Sequence, residues 1–207
     1  MSAHIVWENL NNDSNEPIER YTRMNYKQKL EAFNAGKKYQ QEVAFMMGLI
    51  GAEANDMVLD YGCGLGRMVW AMRDKDVACF GYDVLNYREQ DNEFVFRDSY
   101  HFQFDKIYFM HSFAHMPKPG ALFETTFKDM LKPGGRVYIF TPNRDWLEYM
   151  HNPDYVPDPT VVQHYNLQDL ANMFGRHGYV VEQMGQYGAT CNARVCERVF
   201  ISARKNG

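Results

Sequence analysis

The sequence predicts an α/β fold, a three-layer Rossmann-like sandwich around a mostly parallel sheet, and three observations carry that expectation. From Met57 onward, short β-rich apolar runs alternate with helical stretches, the pattern of strands joined by crossover helices. A glycine-rich turn, Gly62-Cys63-Gly64-Leu65-Gly66, lies between the first such strand and the first such helix. The second strand ends on an acid, Asp83, where a nucleotide-binding sheet places a group that can accept ribose hydroxyls.

Before Met57 the chain reads differently. Residues 1–16 are polar and rich in asparagine, with Trp7 as their one large apolar anchor. From Tyr21 to Ile50, Leu30, Phe33, Val43, Phe45, Met46, Met47, Leu49 and Ile50 are spaced among polar residues as on one or two amphipathic helices. Gly36 suits a joint between them and Gly51 a stop. The expected organisation is therefore an amino-terminal arm and helical cap over residues 1–50 and one ligand-binding domain over residues 51–207. Strands are expected at 57–61, 77–82, 93–97, 105–110, 135–141, 179–184 and 195–203, making seven, and helices at 66–74, 120–131 and 167–177. Only residues 84–92 precede the 93–97 run and 98–104 follow it, less than the dozen or so residues of a parallel crossover, so no full-length helix fits there.

The totals narrow the function classes. At 207 residues one domain with a real core is the expectation. A net charge of −4 supplies no global basic field for a phosphate backbone, which disfavours nucleic acid as a partner. No apolar stretch approaches the ~20 residues that span a bilayer, and nothing at the amino terminus reads as a secretory leader, so a cytoplasmic protein without membrane insertion is expected. The four cysteines show no C-x-x-C pair and read as reduced, mostly buried thiols.

The glycine turn carries most of the chemistry. Glycine at positions 62, 64 and 66 lets the backbone turn sharply and lets a ligand approach it closely, and the helix that follows directs unpaired N–H groups at that ligand. A dinucleotide fingerprint would place its third glycine where this chain has Arg67, which disfavours a dehydrogenase. With Asp60 before the turn, the segment VLDYGCGLGRM resembles the first motif of the class I S-adenosylmethionine-dependent methyltransferases. DKIYFMHSFAHM resembles that family's fourth strand and its exit, LKPGGRVYIFTPN the approach to its fifth, and HYNLQDLANMFGRHGYVVE its late helix and sixth strand. The similarity spans about residues 40–204.

What the resemblance implies is specific. The last strand inserts antiparallel into the sheet. S-adenosylmethionine is the cofactor, its amino-acid part lying against Asp60, Tyr61, Gly62, Cys63, Gly64 and Gly66. Asp83 and Val84 would meet the ribose, Asp98 and Ser99 the adenine, and His111 the methyl-transfer end. The short connections around 93–97 leave the placement of Asp98 open. His111 leaves the fourth strand at the edge where such sheets bind ligands, and reads either as a general base or as a packing residue. His115, Trp146, Tyr149, His164 and Tyr165 are the candidate substrate residues, with Tyr155 beside them in the long 142–160 loop, although any of these aromatics equally suits pinning a loop to the core. His111 and His115 lack the third ligand and the intervening glutamate of a helical zinc site, so no metal is expected. The function so implied is direct in-line methyl transfer to a small molecule. The alternatives are a cofactor-binding regulatory protein without turnover and a methyltransferase acting on protein or RNA.

Overall fold

The computed structural model describes residues 26–83, 103–146, 158, 160–188 and 195–207. The amphipathic segment forms two helices, α1 (Tyr26–Ala35) and α2 (Lys37–Ile50). Gly36 stands between them as the N-cap of α2, and Gly51 closes α2 in the left-handed conformation, its N–H donating to the Met47 carbonyl. Then follow β1 (Met57–Tyr61), α3 (Arg67–Arg73), β2 (Ala78–Tyr82) and β3 (Phe104–Met110). The chain continues through a 3-10 turn at Phe113–His115, α4 (Ala121–Glu124), α5 (Thr126–Met130), β4 (Leu131–Pro142), α6 (Leu167–Arg176), β5 (Val180–Tyr187) and β6 (Arg198–Arg204).

The described residues hold six strands in one sheet ordered β2-β1-β3-β4-β6-β5. Neighbours among β2, β1, β3 and β4 run parallel, while β6 is antiparallel to both β4 and β5, as expected for the last strand. The run at 93–97 lies outside the described residues. Strand and helix ends shift from the sequence expectation by up to four residues, β5 running on to Tyr187 and β6 starting at Arg198, and two differences have a local cause. The single helix at 120–131 is broken at Thr125, whose hydroxyl donates back to the Ala121 carbonyl, and β4 begins at Leu131, so that the glycines of KPGG lie within the strand.

Alternation along the strands divides the core in two. Leu59, Tyr61, Ile107, Phe109, Val137 and Ile139 face one side with Phe127, Leu170 and Phe174 from α5 and α6. Val58, Tyr108, Met110, Tyr138 and Phe140 face the other with Met46 and Ile50 from α2 and Met68, Val69 and Met72 from α3. These are the three layers, and the sheet's carboxyl edge is left between the two sets of helices. An Asn166–Asp169 capping box starts α6. Among the described residues no helix is long and apolar enough to cross a membrane.

The cysteines need a correction. Cys63 and Cys79 are free thiols, but Cys196 is disulfide-bonded, so the reading of four reduced thiols does not hold. Motif spacing is a poor guide to such a bond, which depends on a loop bringing two Cβ atoms within about 4 Å.

Candidate functional site

The turn after β1 is built as its glycines demand. Gly62, Gly64 and Gly66 have φ of 84, 52 and 74°, a region that side chains rarely adopt. The Gly62 and Cys63 N–H groups donate to the Tyr82 carbonyl at 2.6 and 3.0 Å, tying the turn to the end of β2. A Cβ on Gly62 would lie 2.3 Å from the Cβ of Ser112, whose hydroxyl donates to the Tyr61 carbonyl. Ser112 follows β3, so the ends of three strands converge on this turn. Asp83 accepts from the Gly64 N–H at 2.7 Å and thereby braces the turn.

Asp60 lies beneath the turn and is 3% exposed. Burial pushes its carboxyl up to about 8; the Tyr108 hydroxyl, which hydrogen bonds to it, pulls the other way, and the charge of Asp83 adds to the rise. Asp60 Oδ1 is buried and has no hydrogen-bond partner among the described residues. Such an acceptor is costly unless a ligand donor meets it.

The amino-terminal helices cover this arrangement. Arg67 donates to the Asn34 carbonyl at 2.5 Å, joining α3 to α1. Burial drives the hydroxyl pKa of Tyr39 on α2 well up; the nearby charges of Asp60 and Glu42 add to the rise and that of Arg67 opposes it. The Tyr39 ring centroid lies 6.4 Å from that of His111.

His111 sits where β3 ends, at a φ of 60°, an unusual conformation for a residue other than glycine. Its N–H donates to the Phe140 carbonyl at 2.8 Å, and its ring meets Phe140 edge-on. Nε2 lies 2.9 Å from the Glu42 carboxylate. Burial lowers the imidazole pKa below its usual 6.5; the bond to Glu42 opposes the shift, and the charge of Arg198 adds to it.

The remaining sequence candidates are placed as follows. His115 pairs through Nδ1 with the Thr160 carbonyl and hydroxyl, both at 3.0 Å, and so holds the 160 region against the 3-10 turn. Trp146 is half-buried and His164 partly buried, with its pKa lowered by burial. Tyr165 is wholly buried, its ring 5.2 Å from that of Phe113. Val84, Asp98, Ser99, Tyr149 and Tyr155 lie outside the described residues. Tyr39, Glu42, Ser112 and Arg198 were not singled out from the sequence, yet all four belong to this edge. Between α2 and the end of β5 a cleft of about 480 Å³ opens, lined by Lys38, Gln41, Glu42, Phe45, Tyr187 and Gly188, with Phe45 and Tyr187 stacked at 4.2 Å. Among the described residues no group of His, Cys, Asp or Glu is placed to hold a metal.

Two titrations act oppositely on stability. The raised pKa of Asp60 contributes stability that is complete below its unfolded value of 3.8 and lost as pH rises through about 8. The lowered pKa of His111 contributes stability that is present above 6.5 and lost as pH falls below it. Asp60→Asn is therefore expected to gain in melting temperature over the wild type progressively between about pH 5 and pH 8 and no further above that. A gain that does not change with pH would show that Asp60 is ionised throughout.

A family model described as a methyltransferase domain matches residues 28–184. A ubiquinone biosynthesis O-methyltransferase of Pseudomonas fluorescens is 28% identical over 115 residues, covering 47% of this chain and 49% of the relative. One from Shewanella halifaxensis is 28% identical over 120 residues, with 49% and 50% covered. The chain thus spans about half the length of the curated relatives it matches. Its fold is similar to that of a SAM-dependent methyltransferase from Archaeoglobus fulgidus, with a TM-score of 0.66 at 16% identity over 87% of this chain and 99% of the other. It is also similar to magnesium protoporphyrin IX methyltransferase from Synechocystis with bound SAH, with a TM-score of 0.65 at 15% identity, covering 93% and 100%.

Proposed function

Since the chain belongs to the family of that methyltransferase domain and has the class I fold, we propose that it transfers the methyl of S-adenosylmethionine in line to a small-molecule acceptor. The observation that carries this reading is the site beneath and around the glycine turn, with the buried Asp60 Oδ1 lacking a partner among the described residues and the turn closed so tightly on Ser112 that Gly62 has no room for a Cβ. These residues fit the cofactor. The turn would lie against its amino-acid part, with Asp60 offering an acceptor to the ammonium. Asp83, which follows β2 beside the turn, would accept from the ribose hydroxyls. Val84, Asp98 and Ser99 are proposed to complete the nucleoside site.

When bound, S-adenosylmethionine supplies an activated methyl on a sulfonium, so most of the remaining task is positioning and exclusion of water. In this reading Tyr39 and the helices α1 and α2 of the 1–50 cap cover the donor, and the domain of residues 51–207 presents it. His111 faces the transfer from the end of β3 and accepts a proton where the acceptor arrives with one. The cleft between α2 and β5 has room for a small molecule. Trp146, Tyr149 and His164 would position the acceptor from the 142–165 side, with Tyr165 packed in the core behind them and His115 holding that side in place. The relatives named for ubiquinone biosynthesis also favour a small acceptor.

Asp83→Ala is expected to weaken S-adenosylhomocysteine binding by about 2–4 kcal/mol, since it removes charge-assisted bonds to the ligand and the brace on Gly64. Unchanged affinity in calorimetry would show that Asp83 does not bind the nucleoside. The activity is tested by incubating the protein with methyl-labelled S-adenosylmethionine and a panel of phenols, alcohols, amines and carboxylic acids. Label is expected in at least one small acceptor. Label found only in added RNA or protein would overturn the small-molecule reading, and tight cofactor binding with no transfer to any acceptor would favour a regulatory role.

A further inference from the structure

Glu42 stands on α2 in line with Met46 and Ile50, the face that the helix buries. Its side chain is only 1% exposed, and a charge so placed persists only where partners hold it. Each carboxylate oxygen has one. Oε2 meets His111 Nε2 at 2.9 Å, and Oε1 accepts from Arg198 Nε at 3.0 Å. Arg198 in turn donates to the Glu197 carbonyl at 3.3 Å, and the Glu197 carboxylate pairs with Lys38. Among the described residues two cations thus balance two acids in this group, which joins α2, the end of β3 and the start of β6.

The chemistry of the pair follows from that assignment. Burial alone would raise the Glu42 carboxyl, but the bond to His111 and the charges of His111, Arg198 and Lys38 hold it below the usual carboxylate range. An ionised carboxylate only accepts hydrogen bonds, so Nε2 carries the ring hydrogen and Nδ1 is the basic nitrogen of the neutral imidazole. The unusual backbone of His111 is a second and independent sign, since such conformations persist where the surroundings over-determine a side chain's position.

We propose that Glu42 is a positioning residue that fixes the tautomer of His111 and stabilises its imidazolium, so that His111 can deprotonate an acceptor arriving with an O–H or N–H proton. This rests on the methyltransferase reading given above. In the step, the acceptor's O–H or N–H bond breaks and the proton passes to Nδ1, while the electron pair left on oxygen or nitrogen forms the new bond to the methyl carbon. The carbon–sulfur bond of the sulfonium breaks with its pair left on sulfur. The imidazolium then stands against Glu42 and returns its proton to solvent.

The test is nitrogen NMR of the His111 ring in the full chain, with pH titration. Among the described residues, the charged and titratable groups around the ring include Glu42, Lys38 and Tyr39 from α2 and Arg198 at the start of β6, with Glu197 paired to Lys38. In the wild type, neutral His111 is expected as the Nε2–H tautomer. Glu42→Gln is expected to lower the His111 pKa relative to the wild type, because the carboxylate charge that favours the imidazolium is lost while the charge of Arg198 remains, and Glu42→Asp to restore part of the difference. A Glu42 that only anchors the helix would change the melting temperature and leave the pKa and tautomer of His111 as they were. An unchanged His111 pKa in Glu42→Gln overturns the proposal. So does an Nδ1–H tautomer in the wild type, which decides the matter even if the variant does not fold. Calorimetry with S-adenosylhomocysteine on the same wild-type sample separates the two claims, because failure to bind it would count against the methyltransferase reading and leave the tautomer result standing.

Discussion

Gly62→Val is expected to abolish detectable binding of S-adenosylhomocysteine, the largest loss any single change at the turn should cause. Two costs combine. A φ of 84° is strained for valine, and the new Cβ would begin 2.3 Å from the Cβ of Ser112, so either the turn or the end of β3 must move. Ser112 is held by its bond to the Tyr61 carbonyl and cannot rotate away its Cβ, so the displaced part is the turn. The bonds from Gly62 and Cys63 to the Tyr82 carbonyl and from Gly64 to Asp83 would then break together. Gly62→Ala should show the same defect in milder form, and Gly62→Ala with Ser112→Gly should recover part of the loss by removing the opposing Cβ. Calorimetry on each variant checks this. Normal affinity in a folded Gly62→Val protein would mean that the ligand does not use the turn.

The second large effect is expected at His111. With the acceptor found by the transfer screen, His111→Ala should lower kcat by about 10²–10⁴-fold, the usual size of a general-base contribution. Affinity for S-adenosylhomocysteine should change far less, because the glycine turn and Asp83 are untouched. His111→Asn would keep a hydrogen-bonding group near Glu42 without a base, and a lost base predicts that it is nearly as slow as alanine. If His111 only orients the acceptor, asparagine should instead recover turnover and the loss should appear mainly in KM. Unchanged kcat and KM per folded molecule in both variants would remove His111 from the reaction.

The sheet was legible from its alternation and punctuation. Val58, Tyr108 and Tyr138 fall on one face and Leu59, Ile107 and Val137 on the other because successive strand residues point oppositely, a pattern written directly in the apolar runs. The glycine turn and Asp83 were legible because positive φ and a strand-end acid have few substitutes. Residues whose roles depend on a partner far along the chain were harder to see. Glu42 and His111 are 69 residues apart, and Glu42 and Arg198 are 156 apart. A local signal did exist for Glu42, which shares the i, i+4, i+8 line of Met46 and Ile50 and is therefore an acid on a core-facing stripe. Ser112 carried no such signal, since only the approach of β3 to the turn gives its Cβ a role. For Tyr165, position in the chain could not separate a wall of the acceptor site from a core residue, and its burial against Phe113 comes from the docking of the segment before α6.

The measurement that bears most directly on the central claim is calorimetric titration of the wild-type chain with S-adenosylhomocysteine and, separately, with a nicotinamide dinucleotide. A site built from the glycine turn, Asp60 and Asp83 predicts saturable binding of S-adenosylhomocysteine at about one per chain with a dissociation constant in the micromolar range or below, about −8 kcal/mol or stronger, and no heat from the dinucleotide. Binding of the dinucleotide with none of S-adenosylhomocysteine would contradict the assignment of this site.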